Sequence, residues 1–164
     1  MTYIIGIDPG PSESGVVLYN SEDRSIRYAS VLPNCDLKDE LDGGWFTDYP
    51  DNCVPTVAIE FPCFYGKSCA IGKDVLDTAA VVGQFEEITR AWHPRRITRR
   101  EVRMHLCGTM RSGDAQVWAA ILDRYGGRKA AVGTKKAPGP LYGVRSHARS
   151  ALAVALTAAE TKGT

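Results

Sequence analysis

Runs of apolar, mostly β-branched residues, separated by glycine and proline, mark the start of the sequence. The run Tyr3–Asp8 is almost wholly apolar until its final aspartate, which predicts a strand buried on both faces in the middle of a sheet. After the break at 9–11, residues 14–19 resume the pattern, so the two runs predict a hairpin. Ser25–Pro33 predicts a third strand. The chain therefore opens with three antiparallel strands.

A later run, Thr56–Phe61, repeats the layout of the first strand and carries Glu60 near its end. Asp8 alone is equally consistent with a turn-capping aspartate and with a metal ligand. Two buried strands that each end in an acid favour a shared metal ion, because a lone buried carboxylate is costly unless it is paired or bound to a cation. Residues 34–55 between these strands are rich in acids, glycine and aromatics, which predicts a loop with no more than one helical turn.

Apolar residues recur at helical spacing from Ala70 to Trp92, which predicts one amphipathic helix of about six turns. The His93-Pro94 pair ends it, since the residue before a proline disfavours the helical conformation. The apolar face of this helix is expected to cover the sheet, and a second apolar stripe is also suited to contact with a partner subunit.

Residues 95–98 predict a short strand that leads into another helix. Thr98 and Glu101 have the spacing of a capping box at the start of that helix, and Gly108 ends it. A further helix is predicted from about 114 to 125, with a glycine pair after it.

The segment 128–142 is rich in glycine, proline and lysine and lacks a core pattern, which predicts a mobile basic loop. Its sequence lacks the frame of a phosphate-binding loop, so nucleotide binding is not predicted there. The last helix is expected to begin at Ser146, as its N-cap, and to end near Glu160. By spacing alone, His147 in its first turn is an ordinary surface or capping residue.

Charge is distributed very unevenly along the chain. Residues 1–89 contain 5 lysines and arginines against 15 acids, a net charge of −10, whereas residues 90–164 contain 15 against 4, a net charge of +11. Internal neutralisation accounts for part of this, but one cluster is too dense for it to account for all. A nucleic acid is therefore the favoured partner. The clustered arginines are Arg95, Arg96, Arg99, Arg100 and Arg103.

The chain of 164 residues, with 44% hydrophobic residues, fits a single domain spanning 1–164. No apolar run approaches the roughly 18 residues of a membrane helix, and the N-terminus lacks the layout of a secretory signal. A cytoplasmic protein without a membrane partner is expected. The five cysteines lack the paired spacing of a zinc site and are expected to be reduced.

Several stretches, together with the order of the predicted elements, resemble the RuvC-type Holliday junction resolvases of the ribonuclease H-like fold, most closely their phage-encoded branch. The resemblance covers most of the chain and implies an α/β fold with a mixed five-stranded sheet, its three antiparallel strands first, and helices on both faces. The matching stretches are IIGIDPG at 4–10 with 14–15, VAIE at 57–60, RREVRMHLCG at 99–108, GTKKAPGPLYGV at 133–144, and SH followed by ALAVA at 146–155.

This resemblance implies a metal-dependent endonuclease that acts on branched DNA, in the host cytoplasm if the chain is viral. Two divalent ions, Mg2+ or Mn2+, would be held by Asp8, Glu60 and His147, since some relatives carry His and others Asp at the third position. Ser150 stands where many relatives have a further aspartate. A serine is a weak neutral ligand, so affinity for one hard cation is expected to fall.

The resemblance also places Lys135 and Lys136 beside the active cleft. Either lysine would neutralise the scissile phosphate or make nonspecific backbone contacts, and the sequence leaves the two roles open. The arginine cluster would hold duplex arms. A homodimer is expected, because symmetric cleavage of a four-way junction requires two sites, and no nucleotide cofactor is expected.

Two other functions compete with this one. The histidine and serine in place of acids are consistent with a nucleic-acid-binding module that has lost catalysis. The opening hairpin also resembles that of the actin and sugar-kinase phosphotransferases, but those enclose ATP between two such domains and this chain has length for one.

Overall fold

The structure, a computed structural model, describes residues 3–43, 54–62 and 72–161. Its strands are β1 (Tyr3–Asp8), β2 (Glu13–Asn20), β3 (Ser25–Pro33), β4 (Thr56–Phe61) and β5 (Arg95–Thr98). Its helices are α1 (Asn34–Asp42), α2 (Lys73–Ile88), α3 (Arg99–Cys107), α4 (Asp114–Arg124), α5 (Arg128–Val132) and α6 (His147–Glu160), with a 3-10 turn at Arg90–Trp92. No helix of these ranges is long and apolar enough to cross a membrane.

The strands form one mixed sheet in the order β3-β2-β1-β4-β5, with the predicted buried strand β1 at its centre. β1 pairs antiparallel with β2 and parallel with β4, and β4 pairs parallel with β5. In these registers Asp8 lies opposite Gly15, and Ile7 lies opposite Ile59. The carboxyl ends of β1 and β4 therefore lie side by side and bring Asp8 next to Glu60.

Alternate residues of β1 serve two separate cores, because successive side chains of a strand point to opposite faces. Ile5 and Ile7 pack with α1 and α2, whereas Ile4 packs with α3, α4, α5 and α6. Helices thus cover both faces, as predicted. By the same alternation Asp8 and Glu60 both lie on the face that α6 covers.

The approach of α6 to the sheet depends on two glycines. A Cβ on Gly6 would lie 2.2 Å from the Ala151 carbonyl oxygen, and one on Gly15 would lie 2.2 Å from the His147 carbonyl oxygen. No real Cβ tolerates a backbone atom at such a distance. The backbone of α6 therefore lies directly on β1 and β2, and its first residue lies over the strand position that faces Asp8.

The prediction of a loop over 34–55 is wrong for its first part, which forms the nine-residue helix α1. Asn34, Leu37 and Leu41 of this acidic helix are buried, and the two leucines are its buried apolar residues. These two positions, four apart, anchor the helix to the core that contains α2. One buried pair was too weak a periodic signal to identify in the sequence, and residues 44–53 lie outside the described ranges.

The helix predicted from Ala70 to Trp92 is shorter in the structure, where it runs over Lys73–Ile88. The buried Thr89 follows, and its hydroxyl donates to the Phe85 carbonyl at 2.7 Å. A separate 3-10 turn then ends at His93, which has a φ of +50°. The predicted start at 70–71 lies outside the described residues.

The prediction of a mobile loop without core residues over 128–142 is also wrong. The short helix α5 begins this segment, and Ala131 and Leu141 are buried in the core beneath α6. Gly133 and Pro138 form a β-bridge, and Thr134 and Ala137 exchange backbone hydrogen bonds of 2.9 and 3.1 Å. A closed turn therefore replaces the loop.

The capping residues of α3 agree with the sequence prediction in full, whereas the N-cap of α6 agrees only in position. Thr98 and Glu101 form the predicted capping box, and Gly108 ends α3 in the left-handed conformation. Ser146 does precede α6 as predicted, but its side chain makes no capping hydrogen bond and its φ is +45°. A non-glycine residue in that region is strained.

Substitution of Gly6 by alanine is expected to lower the free energy of unfolding by at least about 2 kcal/mol, since the new methyl group would overlap the backbone of α6. Gly83→Ala is the matched control. That glycine lies in α2, is exposed and has nothing within 4 Å of an added Cβ. This change should instead stabilise the protein by about 0.5–1 kcal/mol. Urea unfolding of both variants measures the contrast, and similar effects from the two would contradict the close packing of α6.

Candidate active site

Asp8 is 6% exposed and accepts a hydrogen bond from His147. The His147 Nδ1 atom lies 2.7 Å from Asp8 Oδ2. With Nδ1 as the donor, Nε2 is the remaining nitrogen of a side chain that is 40% exposed. The close approach of α6 over Gly15 brings these two groups together, although 139 positions separate them in the sequence.

A buried polar network fixes the turn that follows Asp8. The Ser14 hydroxyl donates to Asn34 Oδ1 at 2.6 Å, and Asn34 Nδ2 donates to the Gly10 carbonyl at 3.0 Å. The Gly10 amide in turn donates to Ser14 at 3.3 Å. Each of these buried polar groups has a hydrogen-bond partner within the network. The first residue of α1 therefore fixes the backbone conformation of the turn beside Asp8.

Glu60 is paired with an arginine. Its side chain is 12% exposed, and Arg99 Nη1 donates to Glu60 Oε1 at 2.8 Å. The second amino group of Arg99 lies 2.8 Å from Asp114 Oδ1 at the start of α4. One guanidinium therefore bridges the buried acid of the sheet and an exposed acid of the helical layer.

The two buried carboxylates have raised pKa values. Burial and the nearby Asp8 carboxylate raise the pKa of Glu60 to about 7, against the opposing effect of Arg99. Burial also raises the pKa of Asp8, although the hydrogen bond from His147 and the Ser150 hydroxyl both oppose this. Two acids that repel each other in a desolvated site favour a cation or a proton between them.

These acids line an open cleft of about 1380 Å³ between the sheet edge and the helices. His147, Ser146 and Ser150 line the same cleft, together with apolar residues that include Phe61 and Trp118. Five arginines also line it: Arg99, Arg100, Arg103, Arg128 and Arg149. An acidic floor with basic walls results.

The structure brings Asp8, Glu60 and His147 together but disperses the predicted arginine cluster. Arg95 donates to the Thr161 carbonyl at 2.5 Å, beyond the end of α6. Arg96 forms a two-point ion pair with Glu86, at 2.5 and 2.8 Å. Both guanidinium groups are thus already engaged within the chain.

The other members of the cluster face the cleft. Arg103 lies 3.7 Å from Asp114, which Arg99 also contacts. Arg100 is exposed, and no carboxylate of the described residues pairs with it. Of the five predicted arginines, Arg100 is therefore the one with a guanidinium open to a phosphate.

Lys135 and Lys136 are exposed at the tip of the turn between Thr134 and Ala137. Neither is among the residues that line the cleft. Their role in neutralising a scissile phosphate stays a prediction.

Sequence reasoning missed three polar residues of the cleft. Asp114 fixes Arg99, whereas Arg128 and Arg149 add basic charge to the wall. The one sequence signal for Arg149 was its position two residues after His147, the predicted metal ligand. The contacts of Asp114 depend on a tertiary fold that no local pattern shows.

The donor set fits a hard divalent cation only in part. Within residues 3–43, 54–62 and 72–161, no group of three or more His, Cys, Asp and Glu side chains is arranged to hold a metal ion. Asp8 and Glu60 nevertheless supply two adjacent carboxylates whose repulsion a cation would relieve. Mg2+ is commonly bound through one or two carboxylates, with water and substrate phosphates completing its coordination. The site thus fits a cation that arrives with its substrate better than one in a closed protein cage.

No protein-family model matches the sequence, and no curated protein matches it by sequence. Among solved structures, the fold is similar to that of T. thermophilus RuvC in complex with Holliday junction substrate, with a TM-score of 0.64 and 18% identity over 96% of this chain and 92% of that one. A second structure of Thermus thermophilus RuvC gives a TM-score of 0.60 and 19% identity over 94% and 92%. The similarity confirms the predicted ribonuclease H-like fold.

The raised pKa of Glu60 predicts a specific pH dependence of stability in the metal-free protein. Between its ordinary pKa of 4.5 and its folded value of about 7, the folded chain holds a proton that the unfolded chain has lost. The free energy of unfolding therefore falls as the pH rises through this window and then levels off. Glu60→Gln removes this titration, so the variant should gain about 3 kcal/mol relative to the parent between pH 5 and pH 8.

Urea unfolding in EDTA at the two pH values measures this gain. The matched control is Glu87→Gln, an exposed acid of α2 that should leave the pH dependence of the parent unchanged. A parent and a Glu60→Gln variant with the same pH dependence would contradict the raised pKa.

Proposed function

We propose that this protein is a metal-dependent endonuclease that hydrolyses phosphodiester bonds in branched DNA, with four-way junctions as its substrate. One observation carries the proposal: two buried, mutually repelling carboxylates lie at the ends of adjacent parallel strands, on the floor of a cleft with arginine walls. This arrangement occurs on a fold similar to that of RuvC, whose structure with Holliday junction substrate is known.

Asp8 and Glu60 would hold the divalent cations, Mg2+ or Mn2+, with His147 as the third ligand. When bound, such ions supply a nucleophilic water and stabilise the leaving oxygen. Hydrogen bonding of Nδ1 to Asp8 orients the imidazole and keeps its tautomer fixed. Arg99 supplies positive charge at Glu60 in the absence of a cation, and Asp114 gives that guanidinium a second partner.

Further elements of the proposal come from the resemblance in the sequence. A pair of sites in a homodimer would cut the two strands of a junction symmetrically. The same proposal includes a single domain over 1–164 and membership of the phage-encoded branch. It also includes a location in the host cytoplasm, if the chain is viral, and the absence of a nucleotide cofactor.

Asp8→Asn and Glu60→Gln should each lower cleavage of a labelled four-way junction by about 10³-fold or more, since each removes a charge that holds a cation. Junction binding should be retained. Asp123→Asn, an exposed acid of α4, is the matched control and should cleave at the parent rate. Gel assays with Mg2+ or Mn2+ measure cleavage, and mobility shifts in EDTA measure binding.

The same assay separates this proposal from its alternative, a binding module without catalysis. His147 and Ser150, at positions where many relatives carry acids, favour that alternative. A parent protein that shifts the junction but never cuts it with either ion would establish the alternative. Loss of binding in both acid variants would instead make Asp8 and Glu60 structural residues.

The arginines should differ in their contribution to DNA binding according to their pairing. Arg100→Ala should make the negative slope of log affinity against log salt shallower by about 1, as expected on loss of one phosphate contact. Arg96→Ala should leave the slope unchanged, because that guanidinium is engaged by Glu86. Fluorescence anisotropy of a labelled junction with the Asp8→Asn protein gives both slopes, and equal losses from the two variants would contradict the pairing.

A further inference from the structure

We propose that Arg149, stacked on Trp118, binds one backbone phosphate of the DNA strand that enters the cleft beside Asp8 and Glu60. This inference rests on the proposed function and assigns a residue to its substrate. Arg149 is the third residue of α6, and it lines the same cleft as both carboxylates.

The guanidinium of Arg149 is held in place before any ligand arrives. Its Cζ atom lies 4.6 Å from the centroid of the Trp118 ring. Its Nε atom donates to the Val144 carbonyl at 3.3 Å. A side chain fixed by a ring and a backbone oxygen loses little conformational entropy on binding, which favours a well-defined contact.

The charge of Arg149 is available to a ligand. Arg99 and Arg103, on the facing helix, are engaged by carboxylates. Within the described ranges no carboxylate pairs with Arg149, and the one side-chain hydrogen bond recorded for it uses Nε. Both Nη groups therefore keep donors for a phosphate, which an arginine can bind through two parallel hydrogen bonds.

Positive charge from the protein is useful at this place. Without a bound cation, Asp8 and Glu60 repel an incoming phosphate, and Arg99 is already paired with Glu60. Lys135 and Lys136 do not line the cleft. Arg100 and Arg128 do line it, but among the described residues no hydrogen bond or ring contact holds their side chains as the Val144 carbonyl and the Trp118 ring hold Arg149.

Single-turnover cleavage of a labelled four-way junction at saturating protein tests the proposal. Arg149→Ala should lower the rate by about 10²-fold, because loss of a contact that positions the strand misplaces the reacting phosphate. Its affinity should fall by less than about tenfold. The matched control is Arg145→Ala, an exposed arginine two residues before His147 that does not line the cleft, and it should cleave within about twofold of the parent.

Three further variants separate charge from geometry. Arg149→Lys keeps a positive charge without the planar fork and should restore only part of the rate. Trp118→Phe keeps an aromatic ring beneath Arg149 and should lower the cleavage rate less than Trp118→Ala does. If Arg149→Ala fails to fold, as judged by circular dichroism, the lysine variant carries the test. Equal rates for the Arg149 and Arg145 variants would overturn the proposal.

A second measurement does not depend on cleavage. Junctions that carry a single neutral methylphosphonate at successive positions near the crossover are bound to the parent, to Arg149→Ala and to Arg145→Ala in EDTA. At one position the losses from the methylphosphonate and from Arg149→Ala should be non-additive, with a coupling about equal to the loss from Arg149→Ala alone, because both remove the same contact. Arg145→Ala should be additive at every position.

These results distinguish the two proposals. If the parent binds the junction but does not cleave it, the nuclease proposal fails, and non-additivity still supports the contact of Arg149. Additivity at every position overturns the contact whether or not cleavage occurs. A parent that does not bind DNA overturns both.

Discussion

The close contact between α6 and the two central antiparallel strands determines the geometry of the candidate site. Gly6 and Gly15 have no side chains, so the backbone of α6 lies directly on β1 and β2. The first residue of the helix, His147, then lies over the register position that faces Asp8. The close approach of α6 to the sheet therefore has two effects. Its small residues fill the core, and its first residue places the His147 imidazole against the buried Asp8.

Electrostatics is the second constraint, because the sheet brings two carboxylates together away from water. The protein compensates with a separate partner for each acid, namely His147 for Asp8 and Arg99 for Glu60. This balance leaves the pKa of Glu60 near neutrality and leaves the pair attractive to a cation. Because its own side chains already partly neutralise the two acids, a cation that binds them would replace an internal partner.

Local signals in the sequence predicted the framework of the site, whereas contacts between distant segments escaped prediction. Asp8 and Glu60 were visible because an acid at the end of a buried strand is unusual, and the capping box at Thr98 follows from four residues. The pairing of Arg96 with Glu86 involves the surfaces of different elements, so the cluster that looked basic in sequence is partly neutral in space. The role of Arg149 was not predicted, because its contact with Trp118 depends on the tertiary fold and no local pattern shows it. The helix α1 was missed because it buries just two leucines.

The order of the elements along the chain has a consequence for biosynthesis. α6 is the last of the described elements, but it packs against β1 and β2, the first two. A ribosome therefore releases both carboxylates long before the helix that covers them, and contacts between such distant segments form slowly. Until α6 has docked, one face of the central strands lacks its cover and Asp8 lacks its imidazole. A nascent chain that lacks α6 thus carries the acids of the site without a formed cleft.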